Sequence, residues 1–257
     1  MIRTFKALSA LLAYPTAELQ EAVPELAAVL DAEALLPAAV RRRLQQLIDD
    51  IATGDLYDLQ ERYVLLFDRT RSLSLYLFEH VHGESRDRGQ AMIDLKTLYE
   101  NAGLTMDAAE LPDFLPLFLE FIATRSRAEA ADLVGQPAHI LAAIAERLRK
   151  RRSPYEAALR ALLALAAAQP KADAVAAALA APDPDAADLA ALDAAWEDAA
   201  VAFGPDAGNS CKDGLIAKIR AGRRPAPGVA DAARSRSSMI PKSGYRFSEK
   251  DHAATKS

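Results

Sequence analysis

Apolar residues recur through the first two hundred positions at the three-to-four-residue spacing of helices packed on one side. After Pro37, the residues Val40, Leu44, Leu47, Ile48 and Ile51 fall on one face, and Gly54 ends the run. Asp55 is placed to cap a second helix whose stripe is Leu59, Tyr63, Leu66 and Phe67. Met92, Leu95 and Tyr99 form a further stripe, closed by Asn101-Ala-Gly103. Asp113 can cap a helix carrying Leu117, Phe118, Phe121 and Ile122, with Pro116 in the first turn, where a missing N–H costs little. Pro137 precedes Ile140, Leu141, Ile144 and Leu148. Ser153-Pro-Tyr-Glu156 has the form of a capping box ahead of Leu159, Leu162 and Leu163. Two Ala-rich helices flank the break at 181–188, the second with Leu189, Leu192 and Trp196.

One stretch departs from this rhythm. Residues 72–78, SLSLYLF, alternate like a strand. No second segment with that alternation offers itself, and a lone strand cannot satisfy its backbone. The segment is therefore assigned to helix. From Gly204 the chain turns rich in Gly, Pro, Ser and Arg with little to bury, a composition that favours disorder, although Leu215, Ile216 and Ile219 can make a short helical turn. The expected architecture is all-α: a single compact multi-helix domain over 1–205 and a flexible, largely disordered basic C-terminal tail over 206–257.

Composition supports this. The chain is 51% hydrophobic, mostly Ala and Leu, with only 11 glycines in 257 residues. The net charge of −5 conceals a split: residues from Asp206 onward carry 11 Lys and Arg against 5 Asp and Glu, and the preceding 205 carry 20 against 31. An acidic body disfavours nucleic acid as the main partner and suits a basic peptide. A basic tail on such a body can lie over its binding site as a placeholder. The first residues, MIRTFKALSALLAYPTAEL, read as a first helix, because a signal peptide needs a longer apolar run and a small-residue cleavage site. No run of 18 apolar residues occurs, so no membrane span is expected. Together with a lone cysteine this suits a soluble, cytoplasmic protein.

Candidate chemistry is sparse. The chain has no glycine-rich phosphate loop and no GxSxG elbow. His80 and His82 would lie about 200° apart on a helix. On a strand they would share a face and could bind a metal with Glu79 or Glu84. Surface or internally satisfied histidines are the more ordinary reading. Cys211 has no partnered histidine and is a poor nucleophile candidate. The runs Arg41–Arg43 and Arg147–Arg152 read as a solvated face and a helix C-terminus. The stripe of Tyr63, Leu66 and Phe67 is ordinary core on one reading. On another it is a groove for an amphipathic helix, rimmed by Asp68, Arg69, Glu79 and Glu84.

Three segments resemble the NarJ family, the assembly chaperones of respiratory nitrate reductase, within the wider TorD/DmsD group of molybdoenzyme chaperones. Tyr63-x-x-Leu66-Phe67 is similar to the Y/W-x-x-L-F signature of that group. The run Phe67–Phe78, followed by Gly83–Met92, looks like the nitrate reductase branch. Glu110-Leu-Pro112-Asp113 resembles the E-x-P-D-H motif, with Phe114 where relatives often have His, so no role of that His is carried over. The resemblance covers about residues 1–205 and is strongest over 60–122. It implies a non-enzymatic, all-α chaperone with no cofactor or metal of its own. Such a chaperone would bind the N-terminal segment of the apo catalytic (alpha) subunit and hold it for molybdenum cofactor and iron–sulfur insertion before membrane docking. Contact with molybdenum cofactor biosynthesis proteins is a further expectation. On this reading Tyr63, Leu66 and Phe67 anchor the client, and Leu73, Tyr76 and Phe78 extend the groove. Glu79, Glu84 and Asp113 hold basic client residues, with Pro112 beside them; Asp113 has the competing role of a cap. The alternatives are a metal-assisted helical enzyme using His80 and His82, and a helical scaffold.

Overall fold

The computed structural model describes residues 1–82, 86–106, 110–184 and the backbone of 247–249. Among these are eleven α-helices: α1 (Arg3–Leu11), α2 (Ala17–Glu33), α3 (Ala38–Thr53), α4 (Leu56–Phe67), α5 (Glu79–His82), α6 (Arg86–Asn101), α7 (Leu115–Ala123), α8 (Arg127–Gly135), α9 (Ala138–Lys150), α10 (Glu156–Leu165) and α11 (Ala172–Leu179). Two three-residue strands, β1 (Leu104–Met106) and β2 (Phe247–Glu249), make an antiparallel pair. The all-α class holds. The Ala-rich helix expected around Leu189, Leu192 and Trp196 lies outside the described residues.

The centre is α7. Every residue from Leu115 to Ala123 except Glu120 is buried, as expected of a helix apolar all round. It packs on α1, and α10 packs on α9 and α3 to complete the interior. Hydrogen bonds from outside each element fix the joints. Ser9 Oγ donates to the Pro116 carbonyl (2.6 Å), and the Ile2 amide donates to the Ala123 carbonyl (2.7 Å). The first amides of α1 have no intrahelical acceptor, and Glu33 at the end of α2 supplies one: its carboxylate accepts from Arg3 N (2.8 Å), Thr4 N (2.7 Å) and Thr4 Oγ1 (2.8 Å).

Several local signals are realised. Gly54 ends α3, Asp55 caps α4 through the amides of Tyr57 and Asp58, and Gly103 takes φ +78° after α6. Two caps are not. Ser153 Oγ is buried with no hydrogen-bond partner among the described residues, and the chain enters α10 through a tight turn in which the Ser153 carbonyl, not its hydroxyl, accepts from Glu156 N. The capping box that does form is Ser126–Glu129 at α8. Asp113 does not cap α7 either; Phe114 holds that position.

The helical assignment of 72–78 is overturned. Arg71–Leu73 turns as a 3₁₀ segment; beyond it Tyr76 forms an isolated antiparallel bridge with Phe114, and residues 77–78 turn into α5. Leu77 N donates to the Asp113 carbonyl (3.0 Å) and Leu115 N to the Leu75 carbonyl (2.8 Å). The alternation marked a non-helical segment held by one antiparallel bridge. Its partner was hidden because residues 113–115 continue directly into a helix and show no alternation of their own.

The other side of this segment is held by Arg147, which is only 2% exposed although it lies in a basic run. Its guanidinium donates to the carbonyls of Ser72 (2.9 Å), Ala178 (3.0 Å) and Ala181 (3.0 Å). It thereby ties α9 to the extended segment and to the end of α11. Burial pulls its pKa below the ordinary arginine value, against the opposing charge of Asp183. Arg147→Met keeps the bulk but strands three carbonyls, so chemical denaturation should show a loss of about 2–4 kcal/mol. Unchanged stability would remove Arg147 as a structural tie.

Candidate partner-binding surface

The first group of candidate residues comes together where the extended segment meets the Glu110–Asp113 motif. Asp113 is wholly buried, and its Oδ2 accepts from the Phe78 amide (2.9 Å). Tyr76, half-buried, stacks near Phe114 with ring centres 5.2 Å apart and donates its hydroxyl to Glu110 (2.7 Å). Tyr99 of α6 donates to the Pro112 carbonyl (2.7 Å). Leu73, Phe78 and Pro112 are buried as well. Glu79 is half-buried and pairs with Arg88 at 3.2 Å. Glu84 lies outside the described residues. The motif side chains therefore meet one another rather than solvent, and they fasten two loops into the helical core.

Electrostatics agree. Burial raises the Asp113 pKa above its ordinary value, although the Phe78 amide and the Arg88 charge oppose the rise. Its Oδ1 is buried with no hydrogen-bond partner among the described residues. His80 reaches the Ser74 carbonyl through Nε2 (2.8 Å), and burial lowers its pKa despite that bond. This contact occupies one of the two ring nitrogens through which a histidine can bind a metal. Among the described residues no group of three metal-ligating side chains converges. The side chain of His82, and Cys211, lie outside the description.

The second group lies on α4. Leu59, Tyr63, Leu66 and Phe67 all face inward, each at most 9% exposed. Tyr63 donates its hydroxyl to the Leu12 carbonyl (2.9 Å), and its ring lies 4.9 Å from Phe67 and 6.0 Å from Tyr155. These side chains fill the core and leave no groove between them.

The opposite side of the same helix was not anticipated. Tyr57, Glu61, Val64, Leu65 and Asp68 follow the i, i+4, i+7, i+8, i+11 spacing of one helical stripe. Tyr57 is 80% exposed, and Val64 and Leu65 are half-exposed. Tyr14 stands beside them, edge-on to Tyr63 at 5.5 Å. Tyr14, Gln60, Glu61, Val64, Leu65 and Arg69 line an open surface pocket of about 210 Å³. Asp55, Asp58, Glu61 and Asp68 are all exposed along it, so the rim is mainly acidic. The signal was legible: α4 carries more apolar residues than one buried face can use. Gln60 fixes the pocket wall by donating to the Pro15 carbonyl (2.9 Å).

A helical bundle that turns an acid-rimmed apolar face outward has the make-up of a binding protein. Residues 15–161 match the family described as nitrate reductase delta subunit. The chain belongs to the NarJ family of nitrate reductase molybdenum cofactor assembly chaperones. It is 43% identical over 208 residues to the nitrate reductase molybdenum cofactor assembly chaperone NarJ of Escherichia coli K12, covering 81% of this chain and 87% of that one. It is 41% identical over 177 residues to the probable chaperone NarW of the same organism, covering 68% and 76%. To the probable NarJ of Bacillus subtilis it is 34% identical over 161 residues, covering 63% and 86%. These relatives are named as chaperones, not catalysts. No helix among the described residues is long and apolar enough to cross a membrane.

The buried carboxylate gives a pH test. A carboxyl with a raised folded-state pKa contributes stability that is present below its ordinary value of 3.8 and lost as pH rises through the folded value. Asp113→Asn keeps an oxygen for the Phe78 amide and removes the charge. Urea denaturation should therefore show the variant gaining on wild type as pH rises from about 4 to 7, by ~1 kcal/mol or more. Parallel pH profiles would contradict the assignment. Asp113→Ala loses the tether and should cost about 1–3 kcal/mol.

Proposed function

We propose that this protein binds the N-terminal segment of the apo catalytic subunit of respiratory nitrate reductase, in the cytoplasm, and holds it for molybdenum cofactor and iron–sulfur insertion before membrane docking. The 43% identity to a named nitrate reductase chaperone, in an alignment that covers 81% of the chain, carries this reading. In it, residues 1–205 are the binding domain and 206–257 a basic appendage. Handing the client to molybdenum cofactor biosynthesis proteins belongs to the same reading.

The client site is proposed on the outer stripe of α4. Tyr14, Tyr57, Val64 and Leu65 supply apolar contact, and Asp58, Glu61 and Asp68 meet the basic residues of an amphipathic leader. Apolar anchors within an oppositely charged rim give affinity from burial and register from charge. The inward residues of the signature act indirectly: Tyr63 and Phe67 stack behind the face and hold Tyr14 and α4 in place. Client contact at Glu79 or Asp113 would require Glu79 to leave Arg88 and Asp113 to leave Phe78, which makes them weaker candidates than Glu61.

Calorimetric titration with the client N-terminal peptide tests this. Leu65→Glu should weaken binding by about tenfold or more with the fold intact. Glu61→Lys should weaken it several-fold at low salt and less at high salt. Leu66→Ser, by contrast, should lower stability by about 2–4 kcal/mol. Full affinity in the Leu65 and Glu61 variants would remove the α4 face from the account; absence of any peptide binding by wild type would overturn the client assignment itself.

A further inference from the structure

β1 follows α6 through the Gly103 turn, in which the Gly103 amide donates to the Glu100 carbonyl (2.9 Å). Leu104 and Met106 pack against the core, so this short strand is fixed to the body. A fixed strand with an open edge presents unpaired N–H and C=O groups and invites any extended polypeptide to pair with it. In this chain the edge is taken by β2, with Leu104 opposite Glu249, Thr105 opposite Ser248 and Met106 opposite Phe247.

The occupant comes from the far end of the sequence, within the segment that carries 11 basic residues against 5 acidic ones, and the body it returns to is acidic. Charge draws the two together. Three residue pairs in a two-stranded ribbon are marginal by themselves. What favours pairing is the covalent tether, which holds the strand at an effective concentration of about millimolar. A contact of this kind blocks casual pairing yet yields to a better-matched segment.

We propose that Phe247–Glu249 is an intramolecular strap: it adds to the β1 edge of its own chain and so closes a strand-addition site against other polypeptides. The strap and the α4 face are separate surfaces, and neither proposal depends on the other.

Hydrogen exchange on the full-length chain tests the strap. Proline at the middle of β2 removes an N–H and disfavours pairing, without changing charge. In Ser248→Pro the amides within 104–106 that point toward β2, alternate ones in an antiparallel pair, should exchange at least ~10-fold faster than in wild type, while amides of α7 and α9 are unchanged. A synthetic peptide of residues 243–251 added to Ser248→Pro should restore protection at 104–106 in a saturable way. The same peptide should do little to wild type. Wild-type protection should also survive about a tenfold dilution, as an internal contact must. Equal exchange in both proteins, or no rescue by the peptide, would overturn the strap. Protection that fades on dilution would overturn it too, by assigning the strand to a second copy. None of these readouts involves the client peptide.

Discussion

The structure depends on one short non-helical joint inside a helical bundle. Two backbone hydrogen bonds join Leu75 and Leu77 to Leu115 and Asp113, and the Asp113 carboxylate takes a third from Phe78. A buried extended segment must find partners for its amides and carbonyls, and helices offer none along their sides. The chain solves this by halting just before α7 and pairing the halted residues with 75–77. Tyr99 and Arg147 then satisfy carbonyls at Pro112 and Ser72. This joint adds to the Ser9 hydroxyl on Pro116 and to the rings of Tyr63 and Phe67 against Tyr155 in holding the start of α7 and the exit from α4 in register.

The joint also explains why the family's motif residues are so little exposed. Pro112 and Asp113 serve as fasteners, and Glu110 is engaged by Tyr76. Their work is to hold the 76–78 segment and α6 against the entry to α7. The proposed client contact lies instead on the outer side of α4, where the same helix turns Tyr57, Glu61, Val64 and Leu65 away from the core. One helix thus carries both the signature that fixes the fold and the stripe proposed to meet the client.

Much of this was legible in the sequence. Periodicity located α3, α4, α6, α7 and α9, because each has an apolar stripe wide enough to stand out. The alternation at 72–78 was visible and was set aside for want of a partner strand; the structure forms only a single bridge there, from Tyr76 to Phe114, and Phe114 runs straight into a helix, so it has no pattern to see. Arg147 was unreadable, since nothing in a run of arginines says which one turns inward. The Tyr63-x-x-Leu66-Phe67 signature marked α4 by residues that are buried: large apolar residues at helical spacing make core first, and the proposal therefore assigns surface contact to their exposed neighbours.

The central claim is that the outer stripe of α4 is where the client's N-terminal segment lies. Its most direct test is site-specific photo-crosslinking. A photoreactive residue is placed at position 57 or 65, and at Ala128 on the exposed side of α8 as a control. Client peptide should be captured at 57 and 65 and not at 128. Peptide that binds normally by calorimetry, yet is captured at neither 57 nor 65, would contradict the account.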